Sequence, residues 1–314
     1  MSLFSEKILI EYIADAFAGI GNGTAEGIGD DCAIVPLSKE ESMVFTTDML
    51  CEGVHFLREA ASAEEIGYKA LAVNLSDVAA MGARPVATML SIAVPPDCGK
   101  DWAFGFVDGF RNLSRQYDVA LIGGDTVGSS HGITINVVTI GKIDNRCIKR
   151  RRDAKAGDVI VVNDFLGDSA AGLADVLGGR YHTPEARIHH HPVPQIDEGI
   201  WLGGRTEVHA MMDISDGLFS DLPHILELSH TGACVQIDRI PTRRTIEQAV
   251  CGGEDYKLLF TADADRFESL AADYKVRFGS ELHPVGRITS ETGKLHWMNG
   301  EKEIEPDFTP FKHF

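Results

Sequence analysis

Carboxylate-bearing motifs recur along the chain, each beside a glycine turn or at the end of a predicted strand. They offer oxygen donors without the Cys or His spacing of a zinc site, and such donors favour Mg²⁺ or Mn²⁺. So many carboxylates in one cleft would repel each other unless divalent cations and a nucleotide neutralised them. The pattern therefore predicts a phosphoryl-transfer site. The motifs contain Asp30 and Asp31, Asp48, Asp77, Asp125, Asp213 with Asp216, and Glu254 with Asp255.

Side-chain alternation limits which of these groups can share a site. In the strand predicted to end at Asp48, the side chains of Thr46 and Asp48 point to the same face. Thr47 points to the other face, although its backbone carbonyl remains available as a ligand. By the same rule, only one of Asp30 and Asp31 faces a given site if a strand begins there.

Each motif taken alone also has a purely structural interpretation. An Asp before Gly commonly forms a turn, and Ser215 or Asp216 could cap a helix predicted to begin at Leu218. The recurrence of such motifs in both halves of the chain favours a shared site instead. Two common nucleotide signatures are missing from the sequence, because no Gly-Lys pair precedes Ser or Thr and neither HRD nor DFG occurs.

The composition narrows the class of ligand. The chain has 314 residues, with 47 acidic and 29 basic side chains, a net charge of −18 and a pI near 5.0. This balance argues against nonspecific binding to nucleic acid or anionic membrane, which requires surplus Lys and Arg. A phosphorylated small molecule remains compatible, since a divalent cation can bridge its phosphate to carboxylates.

Cellular location is predicted from the cysteines and from the absence of targeting patterns. The six cysteines are scattered with no CxxC pair, which is typical of a reducing compartment. No signal peptide is recognised, and the longest weakly polar stretch, residues 86–96, is too short to span a bilayer. We therefore predict a soluble, cytoplasmic protein without a membrane partner.

The elements that position the motifs alternate between helix and strand. The clearest predicted helix runs from Ala63 to Met81, and the most β-branched strand from Ile133 to Ile140. Such alternation in both halves predicts an α/β and α+β architecture in two domains. The boundary is placed in the polar, basic segment 144–158, which gives domains 1–145 and 146–314.

Several longer motifs occur together in one order. They read GIGDDCA (27–33), TTDMLCEGVHF (46–56), GYKALAVNLSDVAAMGARP (67–85), GGDT (123–126), DISDGL (213–218) and GGEDY (252–256). In order and spacing this set resembles the thiamine-monophosphate kinase family, from about residue 27 to the C-terminus. The resemblance implies an N-terminal mixed-sheet α/β domain that pairs across a homodimer, and a C-terminal α+β domain.

The resemblance also implies the reaction and the role of each residue. ATP would phosphorylate thiamine monophosphate to thiamine diphosphate by direct, Mg²⁺-assisted in-line transfer, with no covalent nucleophile. The implied ligands of several Mg²⁺ ions are Asp31, Thr46, Thr47, Asp48, Asp77, Asp125, Asp213 and Asp216. The implied contacts are Gly124, Asp125, Arg151 and Ser215 for ATP, and His55, Glu254 and Phe311 for thiamine monophosphate.

The sequence departs from the family pattern at two places. Gln195 stands where the family usually has Arg, so a supporting charge is missing there. The nucleotide-facing Arg lies in a run from Arg150 to Arg152, which leaves its register open by one residue. Nearby, the segment 184–194 with its three consecutive histidines is predicted to be an irregular, solvated loop and not a metal site.

Two alternative functions remain. The first is another ATP-using enzyme of the same superfamily, which is disfavoured. A selenophosphate synthetase needs a reactive Cys or selenocysteine in an N-terminal glycine-rich loop, and no Cys precedes Cys32 in this chain. A hydrogenase-maturation protein needs a C-terminal Cys, whereas this chain ends in Phe314. A non-catalytic Mg²⁺- and nucleotide-binding protein stays open on the acidic motifs alone, and the acceptor-facing His55 and Glu254 favour an enzyme.

Overall fold

Two mixed β-sheets form the framework of the protein. The structure, a computed structural model, describes residues 6–20 and 23–309, with side chains from residue 8 onward. The first sheet contains β1 (Ala33–Pro36), β2 (Glu41–Cys51), β3 (Arg84–Val94), β4 (Ala120–Gly128) and β5 (Thr134–Asp144). Its strand order is β1-β2-β5-β3-β4, and within it β3 and β4 run parallel to each other. We call the part of the chain that carries this sheet the N-terminal half.

The second sheet lies in the C-terminal half. Its strands are β6 (Val159–Val162), β7 (Val208–Asp213), β8 (Gly232–Gln236), β9 (Leu258–Ala262), β10 (His283–Thr289), β11 (Leu295–Asn299) and β12 (Lys302–Ile304). Their order is β12-β11-β8-β10-β6-β9-β7, and β8 and β11 form its parallel pair. Both sheets are thus mixed, which confirms the mixed sheet predicted for the N-terminal domain and the α/β and α+β fold class.

Helices cover the sheets and connect the two halves. The N-terminal half contains α1 (Glu6–Phe17), α2 (Ala63–Ala80) and α3 (Lys100–Tyr117). The C-terminal half contains α4 (Asp168–Leu177), α5 (Pro184–His190), α6 (Ile196–Gly203), α7 (Leu218–Ser229), α8 (Ile246–Cys251) and α9 (Phe267–Phe278). No helix in residues 6–20 or 23–309 is long and apolar enough to cross a membrane.

Helix α2 joins the two halves. It begins with a capping box, in which Ser62 accepts from the Glu65 amide and the Glu65 carboxylate accepts from the Ser62 amide. Most of its side chains are buried, because it packs on β2 and β5 on one side and on α6 and β7 on the other. The close approach of α6 requires Gly199, where a Cβ atom would lie 2.2 Å from the Ala79 carbonyl oxygen. Residues of α2 can therefore contact both halves.

A short segment connects β5 to β6. It contains a single turn of 3₁₀ helix, Arg151–Asp153, whose Arg151 carbonyl accepts a hydrogen bond from Ser229 Oγ in α7. The predicted division between domains 1–145 and 146–314 falls at the start of this segment, and it stays a prediction.

The histidine-rich segment differs from the prediction of a solvated loop. Residues 184–190 form α5, which Thr183 caps through its hydroxyl and Pro184 begins. His189 and His190 are each only 4% exposed. Thr183 and Pro184 form a helix start signal, but Pro192 and Pro194 close behind them indicated a loop. The prediction of an irregular segment was therefore wrong.

Two of the motif carboxylates lie inside strands and not at their ends. Asp48 is within β2, which continues to Cys51, and Asp125 is within β4, which continues to Gly128. The two glycines before Asp125 make no turn there. Gly124 has a φ of 147°, and its backbone approaches β3 so closely that a Cβ atom would lie 1.7 Å from the Leu90 carbonyl oxygen.

Candidate active site

Three carboxylates from separate elements meet between the two halves. Asp31 precedes β1, Asp77 lies in the last turn of α2, and Asp213 ends β7. One oxygen atom of each lies within 4.8 Å of those of the other two. We call Asp31, Asp77 and Asp213 the carboxylate cluster. Both sheets and the connecting helix therefore contribute to a single acidic site.

Hydrogen bonds fix the cluster and leave one oxygen atom without a partner. Thr46 Oγ1 donates to Asp77 Oδ2, and Ser76 Oγ donates to Asp213 Oδ2 across the two halves at 2.5 Å. The Asp31 side chain is 1% exposed, yet its Oδ2 atom has no hydrogen-bond partner among the described residues. A buried acceptor of this kind needs a cation or a donor, so the site fits a divalent ion.

The electrostatics of the cluster also fit a cation. Burial, with the negative charge of Asp31 as the next cause, raises the pKa of Asp213 to about 8 and that of Asp48 to about 6. Burial and the charges of Asp48 and Asp213 raise the pKa of Asp77 well above its usual range. The charged forms of these groups are destabilised without a counter-ion. Because all the donors are oxygen atoms, Mg²⁺ suits the site better than zinc.

The alternation predicted for β2 is confirmed. Thr46 is buried, Thr47 is exposed and Asp48 is half-buried, so the first and third residues share the inner face. The Thr47 hydroxyl instead accepts from Asn136 Nδ2 at 2.9 Å on the outer face. The Asp48 amide donates to Asn74 Oδ1 of α2, which holds this part of β2 against the helix.

Of the three consecutive arginines, Arg151 faces the cluster. Its Nη2 atom donates to Asp31 Oδ1 at 2.5 Å, and its amide donates to Asp30 Oδ1 at 2.7 Å. Arg150 and Arg152 both pair with Glu26 instead. The geometry therefore distinguishes Arg151 from its neighbours, which the sequence left open.

The loop that follows β7 is held by the GGEDY segment. The Ser215 carbonyl accepts from the Glu254 amide at 2.7 Å, and the Ile214 carbonyl accepts from the Tyr256 amide at 2.9 Å. The residue at the N-cap position of α7 is Gly217, so the interpretation of Ser215 or Asp216 as a helix cap is wrong. Asp216 lies beside the cluster in sequence but is not one of its three members.

Lys69, which the sequence did not single out, contacts both of the described residues that were predicted to face the acceptor, His55 and Glu254. Lys69 Nζ lies 3.3 Å from the His55 carbonyl oxygen and 2.9 Å from Glu254 Oε1. His55 Nδ1 accepts from the Cys51 amide at 3.0 Å. The third predicted acceptor residue, Phe311, lies outside the described residues.

Other predicted residues are not brought to the cluster within this chain. Gly124 and Asp125 lie on β4, whose residues are all exposed, and Asp125 Oδ1 accepts from the next amide, that of Thr126. Gln195 is buried as a neutral group, since its Oε1 atom accepts from Asn163 Nδ2 and its Nε2 atom donates to the Val193 carbonyl.

Two protein-family models match the chain and define its class. The N-terminal domain model of the AIR synthase related proteins matches residues 29–143, and the C-terminal domain model matches residues 155–297. The chain therefore contains both domains of this class and has its fold.

Curated relatives narrow the class. The chain is 36% identical over 306 residues to the thiamine-monophosphate kinase of Buchnera aphidicola subsp. Schizaphis graminum, covering 92% of each protein. It is 34% identical over 309 residues to the thiamine-monophosphate kinase of Escherichia coli (strain K12), covering 92% of this chain and 91% of that one. The chain therefore belongs to the thiamine-monophosphate kinase family, which confirms the resemblance found in the sequence.

Solved structures agree with this membership. A structure described as "AaThiL complexed with AMPPCP and TMP" matches with a TM-score of 0.84 and 30% identity, covering 99% of this chain and 97% of that chain. Thiamine-monophosphate kinase from Stenotrophomonas maltophilia K279a matches with a TM-score of 0.75 and 35% identity, covering 94% and 96%. The hydrogenase maturation protein HypE, in a complex with HypF, is 16% identical and shares the fold alone, with a TM-score of 0.77.

Proposed function

We propose that this chain transfers the γ-phosphoryl group of ATP to thiamine monophosphate, forming thiamine diphosphate and ADP. The observation that carries the proposal is the carboxylate cluster of Asp31, Asp77 and Asp213, in which Asp31 Oδ2 is buried and has no hydrogen-bond partner in the described part of the chain. It occurs in a chain that is 36% identical to a thiamine-monophosphate kinase over 92% of its length. A solved relative, 30% identical, is described as a complex with AMPPCP and TMP.

We assign several Mg²⁺ ions to the site. Bound Mg²⁺ would supply neutralisation of the charge on the transferring phosphoryl group. The cluster carboxylates Asp31, Asp77 and Asp213 are the strongest candidates to hold it, because their oxygen atoms already converge. The other proposed ligands are Thr46, Thr47, Asp48, Asp125 and Asp216.

The chain's own residues would bind and orient the two substrates. The Arg151 guanidinium beside the cluster is suited to phosphate oxygens, and Gly124, Asp125 and Ser215 are its proposed partners in ATP binding. His55 and Glu254 would bind thiamine monophosphate. The acceptor oxygen is already ionised at neutral pH, so the reaction requires no strong general base.

We also propose a homodimer that pairs through the β4 edge of the first sheet. On this edge strand, Leu121, Ile122 and Val127 are each more than half exposed to solvent. A long, apolar edge strand invites pairing with another strand. Sedimentation equilibrium of the wild type and of Ile122→Lys tests this proposal, because a dimer formed through β4 is expected to dissociate in the variant. A wild-type monomer would contradict it.

The cytoplasm is the proposed location of the reaction. All six cysteines are free thiols, which is typical of a reducing compartment.

A coupled ADP-release assay with ATP and Mg²⁺ tests the proposed function. The acceptor panel contains thiamine, thiamine monophosphate, an aminoimidazole precursor and selenide. We expect turnover with thiamine monophosphate and none with thiamine, whose alcohol would need both a base and a longer reach. Comparable turnover with thiamine would show that the acceptor is misassigned. ATP binding without turnover on any acceptor would favour a non-catalytic nucleotide-binding protein.

A further inference from the structure

A buried lysine occupies the contact between the two halves. Lys69 of α2 is 2% exposed, and its ammonium group has acceptors from both halves within hydrogen-bond distance. These are the His55 carbonyl oxygen at 3.3 Å, Glu254 Oε1 at 2.9 Å and Glu254 Oε2 at 3.0 Å. The ammonium group donates hydrogen bonds to the His55 carbonyl oxygen and to Glu254 Oε2, and Oε1 completes the ion pair. One side chain thus connects the two residues to which the proposed function assigns the acceptor.

Burying an ammonium ion at this position costs desolvation free energy. Its desolvation is offset only by full pairing, and an apolar side chain of similar volume often stabilises a fold at least as well. The contacts described for Lys69 include neither the carboxylate cluster nor Arg151. The residues that Lys69 contacts directly are His55 and Glu254.

Glu254 is held at its backbone as well as at its carboxylate. Its φ is 63°, in the left-handed region that a residue with a Cβ atom rarely adopts. Its amide donates to the Ser215 carbonyl oxygen, and the next side chain, Asp255, accepts from the amides of Gly167 and Ser169. With Lys69 at the other end, both ends of the Glu254 side chain are fixed, while 24% of it remains exposed.

A second neighbour restricts the same carboxylate. His189 Nδ1 lies 3.4 Å from Glu254 Oε2 and 3.0 Å from Ser169 Oγ. Burial and the nearby Lys69 charge lower the pKa of His189 to about 3, so its ring is neutral at physiological pH. The negative charge of Glu254 is therefore balanced by Lys69. The neutral His189 ring packs beside the carboxylate and provides a polar contact to it.

We propose that Lys69 is a positioning residue that fixes His55 and Glu254 relative to each other and thereby sets the affinity for a cationic, phosphorylated heterocycle. The proposal rests on the proposed function and extends it to a residue with no direct role in phosphoryl transfer. His55 extends from the loop after β2, and Glu254 from the segment before β9. Without the lysine, the two loops lose their shared contacts with the ammonium group.

The test compares KM and kcat for each substrate across a set of variants. We expect Lys69→Met to raise the KM for thiamine monophosphate by about tenfold or more and to leave kcat and the KM for ATP within about twofold. Lys69→Arg keeps the charge and is expected to recover part of the acceptor affinity. Lys149→Met is the matched control, because Lys149 is also buried but donates to the carbonyl groups of Arg205 and Val208.

A double-mutant cycle keeps the test valid if Lys69→Met folds poorly. Lys69→Met leaves the Glu254 carboxylate without its cationic partner, whereas adding Glu254→Gln removes that charge and is expected to restore the melting temperature. If Lys69 acts through Glu254, the double variant will have the acceptor KM of Glu254→Gln alone. Additive increases in KM, or equal changes in KM for ATP and for the acceptor, would overturn the proposal.

Calorimetric measurement of thiamine monophosphate binding distinguishes a failure of the acceptor assignment from a failure of the role proposed for Lys69. Failure of the wild type to bind would overturn both the acceptor assignment and the role of Lys69. Normal wild-type binding with unchanged binding by Lys69→Met would overturn the role of Lys69 alone.

Discussion

The guanidinium group of Arg151 lies against the Asp31 carboxylate, with Nη2 2.5 Å from Oδ1. Within residues 6–20 and 23–309, each member of this pair has one buried atom without a hydrogen-bond partner, Nε in Arg151 and Oδ2 in Asp31. Buried polar atoms without partners are rare, and together they destabilise a site that contains only protein. The Arg151 Nε donor is suited to an anionic phosphate oxygen, and the Asp31 Oδ2 acceptor is suited to a metal cation, so the pair matches both charges of a metal–nucleotide complex. Under the proposed function, this pair would link nucleotide binding to metal binding.

The first prediction concerns Arg151 itself. A charge-assisted hydrogen bond to a phosphate contributes about 1.5–3 kcal/mol, so Arg151→Met is expected to raise the KM for ATP by roughly tenfold to a hundredfold. Arg150→Met is the matched control, since Arg150 pairs with Glu26 away from the cluster. Initial rates at saturating thiamine monophosphate measure the effect. An equal rise in the KM for ATP in both variants would contradict the assignment.

The second prediction concerns the metal. We expect no turnover in EDTA, recovery with Mg²⁺ or Mn²⁺, and a loss of more than about three orders of magnitude in Asp48→Ala or Asp77→Ala. Asp144→Asn is the control, because Asp144 is a surface carboxylate paired with Arg146. Isothermal titration with Mg²⁺ gives a readout independent of turnover. Full activity in chelator would exclude the metal-assisted mechanism.

The sequence predicted the elements that depend on local signals. Helix α2 was predicted from Ala63 to Met81 and runs from Ala63 to Ala80, because its capping box and apolar periodicity agree. The carboxylate motifs were also visible, since each is a short run of chain. The glycine turn predicted beside Asp125 is instead part of β4, because the close approach of Gly124 to Leu90 is a tertiary contact that the sequence does not show.

The residues that the sequence missed depend on distant partners. Lys69 is one polar residue on a mostly apolar helix, and its partner Glu254 is 185 positions away. His189 was predicted to be solvated because nothing near it in the sequence reveals the contacts of its ring with Ser169 and Glu254. Pairings of this kind arise from the packing of the two halves, which a single sequence does not specify.

The third prediction concerns the dependence of stability on pH. His189 has a pKa of about 3 in the folded state, against the usual 6.5, because burial and Lys69 disfavour its charged form. The unfolded chain therefore takes up a proton first as the pH falls below 6.5, and the stability that the neutral ring contributes is lost as the pH approaches 3. We expect His189→Gln to reduce the acid slope of the unfolding free energy by up to about 1.4 kcal/mol per pH unit.

Urea denaturation of the wild type and His189→Gln between pH 7 and pH 4 measures this slope. The two proteins are compared by how their unfolding free energies change with pH. Their absolute stabilities are not compared, because the substitution also removes buried packing. His131→Gln serves as the control, since His131 is exposed. An acid slope that is unchanged in His189→Gln would contradict the burial of a neutral ring.

The last prediction concerns how the phosphoryl group moves. Because His55 Nδ1 accepts from the Cys51 amide, the neutral ring carries its proton on Nε2. That atom is then a hydrogen-bond donor and not a nucleophile, so His55 is suited to bind the acceptor phosphate. A carboxylate that holds a metal ion, as proposed for Asp77, is a poor nucleophile because the metal engages its lone pairs. We therefore expect direct transfer in a ternary complex, in which positioning can supply roughly 7–11 kcal/mol of the barrier.

His55→Ala is accordingly expected to raise the KM for thiamine monophosphate and to retain a measurable kcat. Initial rates at several fixed concentrations of each substrate should give intersecting double-reciprocal lines, because both substrates must be bound before transfer. Incubation with γ-labelled ATP in the absence of acceptor should leave no stable label on the protein. Labelled protein together with parallel lines would instead demonstrate a phosphoenzyme, and the loss of that label in His55→Ala would assign it to the histidine.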